Sequence, residues 1–140
     1  MNMYAELETV PVATTNITQI NAIQDFDIAY NPDQSYFLLY DSNSKKYVAV
    51  AMVVKVKLDP DCQQRKFNVI YNLVRNREPR FKGSGMLMLL LIQQHLATDI
   101  YLSYNNPLLG KYYKENGFKE TSYNDYHDGK PFPVLKLARN

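Results

Sequence analysis

The segment Arg80-Phe81-Lys82-Gly83-Ser84-Gly85 lies between a strand-like run, Phe67 to Val74, and a helical run, Met86 to Ala97. A helix N-terminus presents unpaired backbone N–H groups and the positive end of the helix dipole, and glycines let an anion approach them closely. The first helical turn usually favours an acidic residue, yet after Glu78 no Asp or Glu occurs before Asp99. The segment therefore predicts a pyrophosphate site, and the alternative is a plain turn that joins a strand to a helix.

Two better-known phosphate loops do not match these residues. A Walker A loop requires Lys and Ser or Thr directly after its second glycine, where they serve the phosphates and magnesium. Here Gly85 is followed by Met86 and Leu87. A dinucleotide fingerprint requires a third glycine three residues after the second, and Met88 stands in that place. Neither magnesium-nucleotide chemistry nor a dinucleotide cofactor is favoured.

A second motif, from Asn106 to Phe118, predicts a short helix with a start signal and a stop signal. Asn106 can cap the helix, and Pro107 stands where its missing N–H costs little. Gly117 supplies the left-handed conformation that ends a helix, and Phe118 begins the next strand. The helix therefore follows one strand directly and leads directly into another.

Taken together, the two motifs resemble those of the GNAT acetyltransferase superfamily. That family carries Arg/Gln-x-x-Gly-x-Gly/Ala at the start of its central helix, and then an Asn, a short helix with a Tyr, and a Gly-Phe ending. The matching residues here are Arg80, Gly83, Gly85, Asn106, Tyr113, Gly117 and Phe118. The resemblance extends from about Phe67 to the C-terminus.

The resemblance implies an α/β fold. We expect a single GNAT-like domain over residues 1–140, with a mixed, mostly antiparallel sheet of about six to seven strands and three to four helices. The sheet would be splayed to hold the pantetheine arm of a coenzyme. The activity implied is that of an acetyl-CoA-dependent N-acetyltransferase, in which an amine acceptor attacks the thioester directly.

The resemblance also assigns roles to residues. Backbone groups of Leu73, Val74 and Arg75 would lie beside the pantetheine amides, and Asn106 would bind the pantetheine or orient its helix. Tyr113 would protonate the departing thiolate, because a phenol with a pKa of about 10 is a suitable donor to a thiolate. Two adjacent tyrosines, Tyr112 and Tyr113, otherwise predict one packed and one exposed ring. The pyrophosphate would be held by Arg80, Phe81, Lys82, Gly83, Ser84, Gly85 and Met86.

The sequence departs from the family where a general base is expected. Members often carry a Glu on the strand before the glycine loop, but Phe67 to Val74 offers only Asn68, Tyr71 and Asn72 as polar groups. The general base could instead be one of three acids or a chain of waters. The acids are Asp59, Asp61 and Glu78.

The order of elements along the chain agrees with that fold. The predicted elements are a strand from Met3 to Val10, a helix from Thr14 to Ala29, a hairpin of Gln34 to Tyr40 and Lys46 to Leu58, the strand Phe67 to Val74, the helix after the loop, the strand Asp99 to Asn105, the short helix, and a last strand pair, Lys119 to Tyr123 and Pro133 to Ala138, around Asn124 to Phe132. The apolar run from Met86 to Ile92 must be covered on most of its surface.

Composition excludes several classes of protein. The chain has 140 residues, of which 46% are hydrophobic and 21% charged, so a disordered chain is not expected. Its longest wholly apolar run is far shorter than the roughly 20 residues that span a bilayer. Cys62 is the single cysteine, and the N-terminus does not have the pattern of a signal peptide. We expect a cytoplasmic protein, not a membrane protein.

Charge is distributed unevenly. Residues 1–44 carry acids and no Lys or Arg: Glu6, Glu8, Asp25, Asp27, Asp33 and Asp41. A basic cluster follows between positions 65 and 82: Arg65, Lys66, Arg75, Arg77, Arg80 and Lys82. The net charge of only +2 gives little support to general nucleic-acid binding. A basic cluster that leads into an anion loop favours coenzyme A as the ligand, and the acidic half suits a cationic amine acceptor.

Two other interpretations stay open. A domain of this fold can act without catalysis, as an acyl-CoA-binding or protein-interaction module. Nucleic-acid binding through the basic cluster predicts an affinity that falls steeply with salt.

The two histidines do not indicate a metal site. His95 and His127 lie far apart, without Cys, His or Glu at ligand spacing. We expect His95 at the surface near a helix end. We expect His127 in a turn, with a role near the acceptor as the lesser alternative.

Overall fold

The computed structural model describes residues 6–11 and 14–139. It contains a seven-stranded sheet with the strand order β1-β2-β3-β4-β5-β7-β6. The strands are β1 Glu6–Val10, β2 Ser35–Asp41, β3 Lys46–Lys57, β4 Lys66–Arg75, β5 Ile100–Ser103, β6 Lys119–His127 and β7 Lys130–Leu137. The helices are α1 Ile17–Asp25, α2 Ser84–Leu96 and α3 Pro107–Glu115, with a 3-10 turn at Pro79–Phe81.

The sheet is mixed and mostly antiparallel. β1 with β2, β2 with β3, β5 with β7 and β6 with β7 pair antiparallel, whereas β4 and β5 are parallel. The predicted α/β class, strand number and sheet type are therefore confirmed. Of the first predicted strand, residues 3–5 lie outside the described part of the chain. The first helix is shorter than predicted, because Asn16 caps it by accepting a hydrogen bond from the N–H of Gln19 at 3.2 Å.

The chain divides into two compact units. Unit 1 consists of Met1–Val53 and Asn72–His95, and unit 2 consists of Val54–Tyr71 and Leu96–Asn140. In unit 1, alternate side chains of β2 pack against different helices. Tyr36 and Leu38 are buried in one cluster with Ile23 of α1, whereas the ring of Phe37 lies edge-on to His95 of α2, with centroids 5.5 Å apart. α1 and α2 therefore cover opposite faces of the unit 1 strands.

α2 is covered on most of its surface, as its apolar sequence requires. Met88, Leu89 and Ile92 are fully buried, while Leu90 is 45% exposed. The helix begins at Ser84, two residues before the predicted start. His95 lies exposed in the last turn, as expected.

In unit 2, a cluster of aromatic side chains forms much of the core. The ring of Phe67 lies 4.9 Å from that of Tyr101 and 5.1 Å from that of Tyr123. Val69 and Val134 are buried in the same cluster. These residues come from strands far apart in sequence, so the cluster joins β4 to the C-terminal strands.

The last two strands are longer than the sequence predicted. We expected Asn124 to Phe132 to lie between two short strands, but β6 and β7 form one hairpin across it, with Asp125 opposite Phe132. Asp128 and Gly129 turn the chain with φ values of 52° and 77°, which suits the Asp-Gly turn of a tight hairpin. Pro131 and Pro133 argue against a central strand. They are accommodated here because β7 pairs with β5 in the stretch that follows, from Val134.

α3 ends in a Schellman motif. The N–H of Phe118 donates to the carbonyl of Tyr113 at 3.0 Å, and the N–H of Gly117 donates to that of Lys114 at 3.3 Å. Gly117 has a φ of 102°, and the rings of Tyr113 and Phe118 lie 5.4 Å apart. This is the pattern in which a left-handed residue ends a helix while an apolar contact closes over it. The spacing Tyr-x-x-x-Gly-Phe is therefore the spacing that this helix ending requires.

Gly117→Ala should lower the free energy of unfolding by roughly 1–2 kcal/mol, because a Cβ is strained in the left-handed region. Urea unfolding followed by circular dichroism measures the change. Glu115→Ala is the control, since it alters an exposed residue of the same helix at ordinary backbone angles. Equal stabilities for the two variants would contradict the role given to Gly117.

Candidate functional site

The predicted anion loop begins with a 3-10 turn and ends at the first residues of α2. The N–H of Phe81 donates to Glu78 O at 2.9 Å, and that of Lys82 donates to Pro79 O at 3.1 Å. Leu87 N–H donates back to Gly83 O at 3.3 Å. The N–H groups of residues 84–86 precede this first bond and belong to the turn that has no intrahelical acceptor. They are the donors that an anion can use.

The two loop glycines are in different surroundings. Gly83 has a φ of 88°, and a Cβ built on it would have no atom within 4 Å. A Cβ on Gly85 would lie 3.8 Å from Leu73 Cδ2, which is an ordinary packing distance. Gly83 therefore faces open space beside the helix N-terminus, whereas Gly85 lets α2 approach β4. We expected both glycines to allow the approach of an anion, and the open space lies at Gly83.

Ser84 adds an unsatisfied group at the same place. Its side chain is fully buried, and its Oγ has no hydrogen-bond partner in the described part of the chain. Buried hydroxyls usually have a partner. The hydroxyl is enclosed, so the donors that a phosphate group can reach are the N–H groups of α2 beside the open space at Gly83.

The charges around the loop are more balanced than the sequence suggested. Glu78 binds two cations, Lys46 Nζ at 2.6 Å and Arg80 Nε at 3.0 Å. The hydrogen bond from Lys46, and then that from Arg80, lowers the pKa of Glu78 below its usual value. The guanidinium of Arg80 also lies over the ring of Phe81, 4.6 Å from its centroid. The charge of Arg80 is therefore shared with Glu78, and its side chain is held along the loop.

The end of β4 is fixed directly before the loop. Asn76 N–H donates to Val48 O at 2.7 Å, and the Asn76 side chain donates to Tyr47 O and accepts from Glu78 N–H. Leu73 faces Gly85, whereas Val74 packs in the α1 cluster. The predicted pantetheine segment, Leu73 to Arg75, and the predicted pyrophosphate segment, Arg80 to Met86, thus belong to the same unit and are tied through Asn76.

Unit 1 also contains a cavity of about 470 Å³ at the end of α1. Its lining includes Asp25 and Asp27, which we predicted on the acceptor side, but also three cationic residues, Lys46, Arg75 and Arg77. The cavity lining therefore carries both acidic and basic side chains. The cavity lining does not include Asp33, whose N–H instead donates to Asn31 Oδ1 at 2.9 Å.

Asn106 and Tyr113 belong to unit 2. Asn106 is the N-cap of α3 and accepts the N–H of Leu108 at 2.9 Å, so its helix-orienting role is the one that its geometry supports. Tyr113 is half-buried while Tyr112 is 43% exposed, which is the packed and exposed pair that the sequence allowed. Burial, and then the neighbouring Tyr112, raises the pKa of Tyr113. Its hydroxyl therefore keeps its proton at neutral pH.

The acids proposed as general bases are mostly engaged. Asp61 accepts from the Arg65 side chain at 3.1 Å and from its N–H at 2.8 Å, and these bonds lower the pKa of Asp61. Glu78 is held by its two cations. Asp59 pairs through its backbone with Asn124. Lowered pKa values make Asp61 and Glu78 poor proton acceptors.

A group that the sequence did not reveal lies in unit 2. Asp125 and His127 project from one face of β6, and His127 Nε2 lies 3.2 Å from Asp125 Oδ2. The ring of Tyr71, on β4, lies 5.4 Å from that of His127. Desolvation, and then the charge of Asp125, raises the pKa of Tyr71 to about 12. We predicted a turn at His127, but His127 is the last residue of β6. The alternation Asp125-x-His127 was the sequence signal that both side chains would lie on one face of a strand.

The described residues contain neither a membrane-spanning helix nor a metal site. None of the helices there is long and apolar enough to cross a membrane. The same residues contain no group of His, Cys, Asp and Glu that is placed to hold a metal ion. Cys62 is exposed.

Comparison with solved structures gives consistent matches, although no family model and no curated protein matches the sequence. An acyl-CoA N-acyltransferase from Pseudomonas aeruginosa matches with a TM-score of 0.59 at 16% identity, over 95% of this chain and 99% of that chain. The Bacillus subtilis N-acetyltransferase YlbP, solved in complex with coenzyme A, matches with a TM-score of 0.57 at 14% identity, over 95% of each chain. Escherichia coli ElaA matches with a TM-score of 0.59 at 17% identity, over 96% and 99%.

These matches cover nearly the whole chain and agree on one architecture. The identities are too low to transfer an activity or a substrate, so the matches show the fold alone. The chain has the fold of GNAT-family acetyltransferases.

Proposed function

We propose that the protein is an acetyl-CoA-dependent N-acetyltransferase. The observation that carries the proposal is the open space at Gly83, beside a helix N-terminus whose first N–H groups have no intrahelical acceptor and whose first turn has no acidic residue. A diphosphate is the ligand whose charge and size suit such a site. Coenzyme A supplies one, and it is bound by a solved protein of the same fold.

Each predicted binding residue has a part in this proposal. The N–H groups at the start of α2, with Gly83 and Ser84, hold the pyrophosphate, and Arg80, Phe81 and Lys82 form the wall of the loop. The backbone of Leu73, Val74 and Arg75 pairs with the pantetheine amides. These residues lie in the part of β4 beyond Ile70, which is the last β4 residue in register with β5. Asn106 holds α3 in place by capping it.

Tyr113 is the proposed proton donor. As the neutral amine attacks the thioester carbonyl, a C–N bond forms, the C–S bond breaks and the sulfur leaves with the electron pair. The nitrogen loses one proton to solvent as it becomes an amide. A phenol that keeps its proton at neutral pH can deliver it to this thiolate, and the raised pKa of Tyr113 ensures that the proton is present.

Gly83→Asn tests the anion site. Asn tolerates the left-handed backbone better than other residues, so the fold should hold while a side chain enters the open space. We expect the affinity for coenzyme A, measured by calorimetry, to fall at least about tenfold, or ~1.4 kcal/mol. Gly85→Ala is the matched control, because its Cβ would lie at an ordinary distance from Leu73. Wild-type affinity in Gly83→Asn would refute the site.

Tyr113→Phe tests the proton donor. The ring that packs on Phe118 is kept and the proton is lost, so kcat should fall roughly 10²–10⁴-fold, with coenzyme A affinity and thermal stability nearly unchanged. Tyr112→Phe, one position away and more exposed, is the control. If Tyr113→Phe is fully active between pH 7 and 9 on a confirmed acceptor, its role is only to close the helix ending.

The carboxylates of the unit 1 cavity are the proposed contacts for a cationic acceptor. Asp25→Asn with Asp27→Asn should raise KM for a cationic amine and reduce the salt dependence of kcat/KM, while coenzyme A affinity stays constant. Asn also tolerates the φ of 64° at position 27. Asp33→Asn is the control, because it is not part of the cavity lining. Unchanged kinetics in the double variant would show that these acids only face solvent.

A non-catalytic module that binds acyl-CoA is the second candidate. It is favoured by the absence of a Glu on β4 and by the engagement of Asp61 and Glu78 with cations. Acetyl-CoA offered with a panel of amines discriminates the two. Calorimetric binding with no transfer to any amine would favour the module.

A further inference from the structure

We infer that the acceptor is a small zwitterion, an amine that also carries a carboxylate, and that it binds in the cavity of unit 1. The inference rests on the proposed function and names the class of its substrate. It starts from the charged side chains that line the cavity, which are Asp25, Asp27, Lys46, Arg75 and Arg77. All of them belong to unit 1.

The opposite charges of this lining do not neutralise one another. Within the described part of the chain, neither Asp25 nor Asp27 forms an ion pair with a Lys or Arg, and Arg77 has no acidic partner. Lys46 differs, because its Nζ lies 2.6 Å from a carboxylate oxygen of Glu78. Two carboxylates and an arginine in one lining are therefore available to a ligand that carries both signs of charge.

The carboxylate side of the cavity favours a cation for two reasons. Asp25 is the last residue of α1, and the last turn of that helix contains no basic residue. The end of a helix carries the negative pole of its dipole, which a nearby cation stabilises. Asp27 adds a second carboxylate two residues later, and both side chains are exposed. An ammonium group supplies the positive charge that this end of α1 lacks.

The arginine side is held in place before a ligand arrives. Arg75 donates to the carbonyl of Asn76 at 3.1 Å, and Asn76 is bonded to the carbonyls of Val48 and Tyr47 on β3. Arg77 follows directly. A guanidinium group binds a carboxylate through paired hydrogen bonds. An amine with no negative group would meet these arginines as like charges, which is unfavourable.

The space between the two charged sides is apolar and of suitable size. Phe26, Tyr47 and Val74 line the cavity and pack against the buried cluster around Ile23. A volume of about 470 Å³ is within the range of small-molecule sites. An amino acid with an apolar side chain has the required amine, carboxylate and apolar body. Because Val74 also belongs to the segment proposed for the pantetheine, both ligands would contact the same end of β4.

The first test measures binding and does not depend on transfer. Leucine is compared with isopentylamine, which lacks the carboxylate, and with isocaproate, which lacks the amine. Nitrogen-15 NMR follows the amides of residues 25–27 and 75–77. We expect leucine to shift the amides of both segments and to bind at least about tenfold more tightly than either analogue. An affinity for leucine no greater than that for isopentylamine, or no shift in these segments, would overturn the inference.

The second test removes one arginine. With acetyl-CoA as donor, kcat/KM is measured for leucine and isopentylamine in the wild type and in Arg77→Gln. We expect the ratio of leucine to isopentylamine to fall roughly tenfold in the variant, because only leucine has a carboxylate for the guanidinium to bind. Lys45→Gln is the control, since it removes an exposed charge of unit 1 outside the cavity lining.

An unchanged ratio in Arg77→Gln contradicts the inference. So does a loss of coenzyme A affinity in that variant with the ratio preserved, which would assign the arginine to the coenzyme.

The proposed function and the present inference fail in different ways. A protein that does not bind coenzyme A in calorimetry contradicts the proposed function, whatever the cavity binds. A protein that binds coenzyme A and acetylates isopentylamine at least as well as leucine overturns the zwitterion and leaves the acetyltransferase intact. Binding of coenzyme A and leucine without transfer overturns the acceptor role and favours the non-catalytic module.

Discussion

The site depends on how β4 ends. The strand stops at Arg75, and Asn76 directly after it makes three hydrogen bonds, to Val48 and Tyr47 of β3 and to Glu78. These bonds set the direction in which the chain enters the 3-10 turn and hence the start of α2. A shift of β4 by one residue would exchange its two faces, moving Leu73 away from Gly85. The geometry of the anion loop is thus a consequence of strand register as much as of its glycines.

The start of α2 and the two ends of α3 have different roles. The start of α2 has no acid in its first turn, so the positive end of its dipole is left for a ligand. The termini of α3 are satisfied internally, by Asn106 at one end and by the bonds around Gly117 at the other. An open terminus is suited to binding and a closed terminus is suited to holding Tyr113 at a fixed position.

Much of this could be predicted from the sequence because its causes are local. The glycine loop, the Asn-Pro cap and the Gly-Phe ending act within a few residues of themselves. The contact of Lys46 with Glu78 and the approach of Tyr71 to His127 link residues far apart in the chain, and no periodicity indicates them. The last strand pair was predicted, but its extension across Asn124 to Phe132 was not, although Asp128-Gly129 carried the turn signal.

The helix ending of α3 bears on how such proteins are recognised. Tyr113, Gly117 and Phe118 stand at the three positions that a Schellman motif with an aromatic lid occupies. Any helix that ends in this way and leads into a strand can have the same residues at these positions, whatever the function of its protein. A motif search with these three residues therefore finds a type of helix C-cap. It indicates a function only when an independent feature, such as an open α2 terminus, occurs in the same chain.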